Sequence, residues 1–378
     1  MKISGKRSII IILAIIVILL AFLAWSSLFS QRTDEIAPAA FNVERNYVLY
    51  DDQGSIISVA RELEIPWALD FLPDGSIIIT ERPGRVRLID PSKGLAPEPL
   101  IIIEEVAHTG EGGLLGIAVH PDFENNSFIY VYHTYRDEEG LKNRVLRFRK
   151  EGNRLVDPVI IIENIPGASI HNGGRIKFGP DGYLYITTGD AAQRETAQNM
   201  DSLAGKILRL KDDGSIPLDN PFAGSPIYSY GHRNPQGLTW DNEGRLWATE
   251  HGSFATDEVN LIEPGKNYGW AEIRGDDESS GLESPYIHSG SSTWAPSGIA
   301  YLDSSLFFSG LRGQSIYEIR PAEDPRMTVS HFSGSFGRIR DVVVGPDDYL
   351  YILTSNRDGR GTPAPEDDQM VRIDPDIL

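Results

Sequence analysis

Four short segments of this 378-residue chain carry residue types that a plain turn does not need. The first is Ser169-Ile170-His171-Asn172-Gly173-Gly174-Arg175. Two glycines beside a histidine let the backbone approach a ligand closely and aim an imidazole at it. The second runs from Ser229 to Gly237 and sets Arg233 beside Asn234, stiffened between Gly231 and Pro235. That pair makes a fork for carboxylates or quinone-type oxygens. The third, Thr249 to Asn260, places Asp257 and Glu258 among loop carbonyls, the hard-oxygen set that suits Ca²⁺. In the fourth, Phe336-Gly337-Arg338-Ile339-Arg340-Asp341, the two arginines alternate on an extended segment and so project to one face. Each segment alone has an ordinary reading: a solvated histidine, a structural ion pair, an acidic turn. Together they describe a site for a polyanionic ligand chelated by a divalent cation. No Walker loop or dinucleotide fingerprint is present, and Gly110-Glu111-Gly112-Gly113 leads into a strand pattern where those motifs lead into a helix.

The elements that must hold these loops repeat along the chain. The unit is an apolar lead-in, a Pro-Asp-Gly type turn and a β-rich strand, as in Trp67–Gly75 followed by Ser76-Ile77-Ile78-Ile79-Thr80. Its turns are marked by Asp74, Asp122, Asp181, Asp241, Asp303 and Asp347, at intervals of 48, 59, 60, 62 and 44 residues; the fifth copy is degenerate. Such turns tolerate positive φ and make hairpins. Six units of three or four strands cannot each bury two faces alone, but stacked radially they can. The expected fold is therefore all-β: a six-bladed β-propeller of four-stranded antiparallel blades over residues 46–378, with function in the loops at one mouth of its channel.

Ahead of the repeats, Lys2, Lys6 and Arg7 precede an apolar run from Ile9 to Trp25. At about 1.5 Å per residue, a helix of that length reaches across a thin bilayer. Residues 1–30 are thus expected to be an N-terminal transmembrane anchor, or a cleaved signal with Ala37-Pro38-Ala39 as the processing site, and 31–45 a polar tether. Either way the remainder is expected to be extracytoplasmic. That remainder carries 32 basic and 54 acidic side chains, a field that repels phosphate backbones and argues against nucleic-acid binding. The absence of cysteine removes disulfides, thiolate metal sites and cysteine nucleophiles.

With these motifs in order, the chain resembles the soluble pyrroloquinoline-quinone (PQQ)-dependent glucose dehydrogenases, and more closely the aldose sugar dehydrogenases of bacteria and archaea. The resemblance rests on Gly110–Gly116, His171–Arg175, Tyr230–Pro235, Glu250-His251-Gly252, Asp257–Asn260, Asn267-Tyr268-Gly269-Trp270 and Arg338–Asp341, spread over roughly Ile65 to Ile373. It implies a six-bladed propeller that oxidises aldoses at C1 to aldonolactones, with PQQ and Ca²⁺ as cofactors and an external electron acceptor. By position, it implies that His171 is the general base, oriented by Asp190, with Arg233 and Asn234 on the quinone oxygens. Arg312, Arg338 and Arg340 match the cations around the PQQ carboxylates, and Glu111 and His251 also fall at cofactor-binding positions. The carbonyls of Gly252 and Ser253 match ligands of the Ca²⁺ beside PQQ; Glu258 and the Tyr268 carbonyl match a second, structural Ca²⁺ site. Three positions depart from the pattern. Glu111 stands in place of Gln, Ile170 in place of the carboxylate that some members carry, and Arg312 in place of Lys. Two other readings remain at this point: a redox-inactive propeller that binds carbohydrate or a protein partner, and a calcium-dependent, lactonase-type hydrolase.

Overall fold

Each of the six Asp-marked turns is the hairpin between the first two strands of a separate antiparallel sheet. The computed structural model describes residues 54–322 and 327–378. The expected anchor, 1–30, and tether, 31–45, lie outside the described residues. Among the described residues no helix is long and apolar enough to cross a membrane.

The sheets begin with Pro66–Phe71, Leu114–Val119, Ile176–Phe178, Pro235–Trp240, Pro296–Leu302 and Ile339–Val344. These innermost strands pack against one another in sequence around a closed ring, the last against the first. Five sheets have four strands, and the first carries an extra short strand, Ile101–Ile102, paired to Arg85–Asp90. The architecture is the expected six-bladed propeller. Its second strands are apolar and β-branched and fully buried, as in Ile77–Glu81 and Leu350–Thr354, because both faces of a blade are covered by neighbouring blades. At Gly75 the hairpin takes φ +81°, a conformation that glycine adopts without strain. The degenerate fifth turn achieves the same reversal in two residues, Asp303 and Ser304, both at positive φ.

The ring closes between its ends. Ile56–Ala60 pairs with Met370–Ile373 and becomes the outermost strand of the sixth blade. Because strands alternate in direction, two sets of connections share one mouth. One set joins each outermost strand to the next innermost strand; the other joins second to third strands within a blade. The Asp-marked hairpins face the opposite mouth.

Candidate active site

Those two sets of connections supply nearly every residue singled out from the sequence. Glu111, His171, Arg233 with Asn234, and Arg338 precede innermost strands. Asp190, the His251–Asp257 loop and Arg312 join second strands to third. Together they enclose a cavity of about 670 Å³ lined by Glu111, His171, Arg233, Asn234, His251, Gly252, Arg312 and Arg338.

His171 is held from three directions. Its backbone is left-handed (φ +58°), and its N–H donates to Glu111 Oε2 at 3.0 Å. Its Nδ1 lies 2.7 Å from Asp190 Oδ1, which also accepts the Ala192 N–H at 2.8 Å. A carboxylate can only accept, so the imidazole proton is assigned to Nδ1, and the Nε2 lone pair meets no donor among the described residues. Asp190 is 1 % exposed, and its Oδ2 accepts the Trp270 indole N–H at 2.8 Å. The Glu111 carboxyl is a paired charge. Burial alone would push it up, but the His171 N–H, His251 and Arg360 outweigh burial and hold it down to about 2. Arg360 Nη1 donates to Glu111 Oε1 at 2.8 Å.

Guanidinium groups supply much of the remaining lining. Arg233 donates to the His251 carbonyl at 3.0 Å, while its buried Nε–H has no partner among the described residues. Asn234 Oδ1 accepts the Gly173 N–H at 3.0 Å, fixing the His171 loop to the next blade. Arg338 is clamped to Asp358 at 2.7 and 3.1 Å, and the Arg312 side chain is exposed and held by no hydrogen bond or ion pair among the described residues. His251 Nε2 lies 3.2 Å from Gln236 Oε1, and burial pushes the His251 imidazole down.

Some expected residues sit elsewhere. Arg340 does not line the cavity: it is buried, donating to Gln236 Oε1 at 2.7 Å and lying 5.6 Å from the Trp67 ring. The double-arginine clamp expected of Arg338 and Arg340 is thus split, because Asp358 already pairs with Arg338 and only Arg340 carries an orphaned Nε–H. Glu258 pairs across the strands with Glu250, and burial together with that neighbour pushes its carboxyl well up. Tyr268 stacks on His232 at 4.9 Å. Ser253 follows Gly252 in the cavity loop but is not itself a lining residue. Among the described residues no three His, Asp or Glu side chains converge on a point. Oxygen is supplied instead by backbone. The Ala255 and Thr256 carbonyls lie 2.3 and 2.2 Å from where a Cβ on Gly252 would stand, a cradle that only glycine leaves open.

The sequence reading gave no role to Trp270 or Gln236 and missed Asp358 and Arg360. Arg360 and Asp358 lie in the second-to-third connection of the sixth blade, the same structural position as Asp190 and His251. That equivalence was available from the repeats.

The ring of six blades carries a His–Asp pair and guanidinium groups at one mouth, the architecture of a propeller enzyme, and comparison with known proteins says which class. The match to the glucose/sorbosone dehydrogenase family spans residues 63–363, and the chain belongs to that family. An aldose sugar dehydrogenase of Escherichia coli is 35% identical over 364 residues, covering 85% of this chain and 92% of that protein. Quinoprotein glucose dehydrogenase B of Acinetobacter calcoaceticus is 36% identical over 256 residues, 59% of this chain and 53% of that one. The PQQ-bound form of an aldose sugar dehydrogenase from Streptomyces coelicolor matches with TM-score 0.79 at 39% identity, covering 84% of this chain and 97% of that chain.

Proposed function

We propose that the protein is a PQQ- and Ca²⁺-dependent aldose dehydrogenase that oxidises sugars at C1 to aldonolactones and passes the electrons to an external acceptor. The observation that carries this reading is the His171–Asp190 pair facing a cavity where Arg233 keeps a buried Nε–H without a partner among the described residues and Arg312 is exposed.

The residues fit a flat tricarboxylate. Buried guanidinium N–H groups without partners are costly unless an anion or water meets them. Arg312, Arg338 and the Nε–H of Arg233 are the groups that would hold PQQ, with Arg340 supplying charge from deeper in the channel. The Gly252 and Ser253 carbonyls would hold Ca²⁺ beside it, and Glu258 with the Tyr268 carbonyl a structural ion. When bound, PQQ supplies the acceptor for the hydride leaving the sugar. The chain's own part is proton transfer and charge placement. His171 Nε2 takes the proton of the anomeric hydroxyl, general-base catalysis that typically contributes about 10²- to 10⁴-fold; Asp190 holds the ring and stabilises the imidazolium. Arg233 and Asn234 set donors where oxyanion charge grows.

The test is direct. Cofactor-free protein, loaded with PQQ and Ca²⁺, is expected to reduce a dye when an aldose is added, with a change in cofactor absorbance on sugar addition. No PQQ binding by titration, together with no activity on any aldose, refutes the reading.

A further inference from the structure

We propose that Trp270 is a positioning residue: its indole N–H fixes the Asp190 carboxylate and, through it, the imidazole of His171. The inference rests on the dehydrogenase reading for its kinetic consequence, but not for its structural one.

Asp190 is almost sealed from solvent, and its two oxygens are served unequally. Oδ1 accepts from His171 and from the Ala192 amide. Among the described residues Oδ2 accepts from Trp270 Nε1 alone. Remove that donor and a buried carboxylate oxygen loses its one partner among the described residues, while the contacts on Oδ1 still let the group swivel about them. Trp270 is suited to the task because it is itself immobilised at both ends of its peptide unit. Its N–H donates to the Gly231 carbonyl at 2.9 Å, and its carbonyl accepts from Gln198 Nε2 at 2.7 Å. Two guanidinia lie over the indole, Arg233 at 5.4 Å and Arg194 at 5.1 Å.

The route taken by the chain is also informative. Trp270 belongs to the connection between the third and fourth strands of the fourth blade, Glu258–Ile262 and Ile287–His288. Connections of that kind turn at the mouth opposite the cavity. This one runs to 24 residues and returns along the third blade, with Asn267 bridged to Tyr230, before delivering the indole to Asp190. A hydrogen bond between residues 80 apart, made by a loop that comes back to the active mouth, is what fixes the carboxylate from outside its own blade.

The test uses Trp270→Phe, which keeps an aromatic face for both arginines and deletes the donor. Losing one donor to a buried carboxylate is expected to lower kcat by about tenfold. Sugar KM and PQQ affinity should stay within about twofold of the parent, because neither ligand is held by the indole N–H. In an Asp190→Asn background, the same substitution should cost no more than about twofold, since the two residues act as one unit. In the cofactor-free protein, the ¹⁵N signals of the His171 ring should differ between parent and Trp270→Phe. An unchanged kcat, additive losses in the double variant, or identical His171 ring signals would each overturn the proposal. If Trp270→Phe fails to fold, the isosteric Asp190→Asn decides: the Trp270 indole N–H resonance should move, and its staying in place refutes the bond. A parent without PQQ-dependent activity would sink the dehydrogenase reading, and the ring signals would then decide this inference alone.

Discussion

Gly189 is where a single methyl group should separate catalysis from folding. A Cβ at this position would stand 2.0 Å from the His171 carbonyl oxygen and 2.3 Å from its carbon, with the Asn172 nitrogen at 3.0 Å. All three are backbone atoms, so no flexible side chain can move aside. The segments cannot shift cheaply either: the Gly189 carbonyl accepts from Gly205, and the Asp190 N–H donates to the Arg233 carbonyl. Gly189→Ala must therefore part the His171 and Asp190 loops by about 1 Å to relieve the overlap. The Nδ1–Oδ1 contact is 2.7 Å, and a hydrogen bond fades before about 3.5 Å, so that displacement opens it. Overpacking of this kind costs about 1–3 kcal/mol, which a protein of this size survives. A 1 Å misplacement of a catalytic group can cost about 100-fold in rate. The expected result is a kcat about 100-fold lower, measured by dye reduction in PQQ-loaded protein, with a Tm lower by only a few degrees. A variant within about threefold of the parent kcat would refute the claim that backbone contact at Gly189 sets the base's geometry.

Three other substitutions separate the roles assigned above. His171→Ala should abolish turnover while PQQ affinity, followed by absorbance titration, stays near that of the parent; a large loss of affinity would mean that the imidazole holds the cofactor instead. Arg340 is a buried cation, brought down to about 9 by desolvation and with one donor unpaired. Arg340→Met is therefore expected to raise the Tm of the cofactor-free protein and to weaken PQQ binding by at least about tenfold; a lower Tm would show that the charge is well compensated. Glu111, held near 2 against an ordinary 4.5, contributes up to about 3 kcal/mol that is fully present above the ordinary carboxyl range. That contribution fades as pH falls below 4.5 and is gone below about 2. The stability deficit of Glu111→Gln in urea denaturation should accordingly be wide at pH 7 and close toward pH 2, and a deficit independent of pH would contradict the pairing.

The repeating turn was the most legible feature of the chain because hairpin chemistry is local. Asp74, Asp181 and Asp241 each mark a reversal whose residues lie side by side in sequence. Even the degenerate copy at Asp303 kept its place, since two left-handed residues complete the same reversal. Outer strands such as Gly94–Leu95 and Ile287–His288 are too short for any pattern to mark them. The site was legible loop by loop but not pair by pair. Arg338 and Arg340 share a face on the extended segment, yet nothing local says that Asp358 claims the first and Gln236 the second. Glu111 and Arg360 are 249 residues apart and meet only because the ring of blades brings them to one mouth. Trp270 stood inside a recognised motif without a role, because its partner lies on another blade.

The seam between Ile56–Ala60 and Met370–Ile373 bears on how the molecule is made. Among the described residues these two strands are the most widely separated in sequence of any that pair, so the circle cannot lock until Met370–Ile373 has been made. Until then the sixth blade lacks half its strands, and Ile339–Val344 with Leu350–Thr354 present an open edge to other chains. Loss of a few residues around Val371 would undo more than one strand: it would unfasten the hoop that holds Arg338 and His171 to the same cavity.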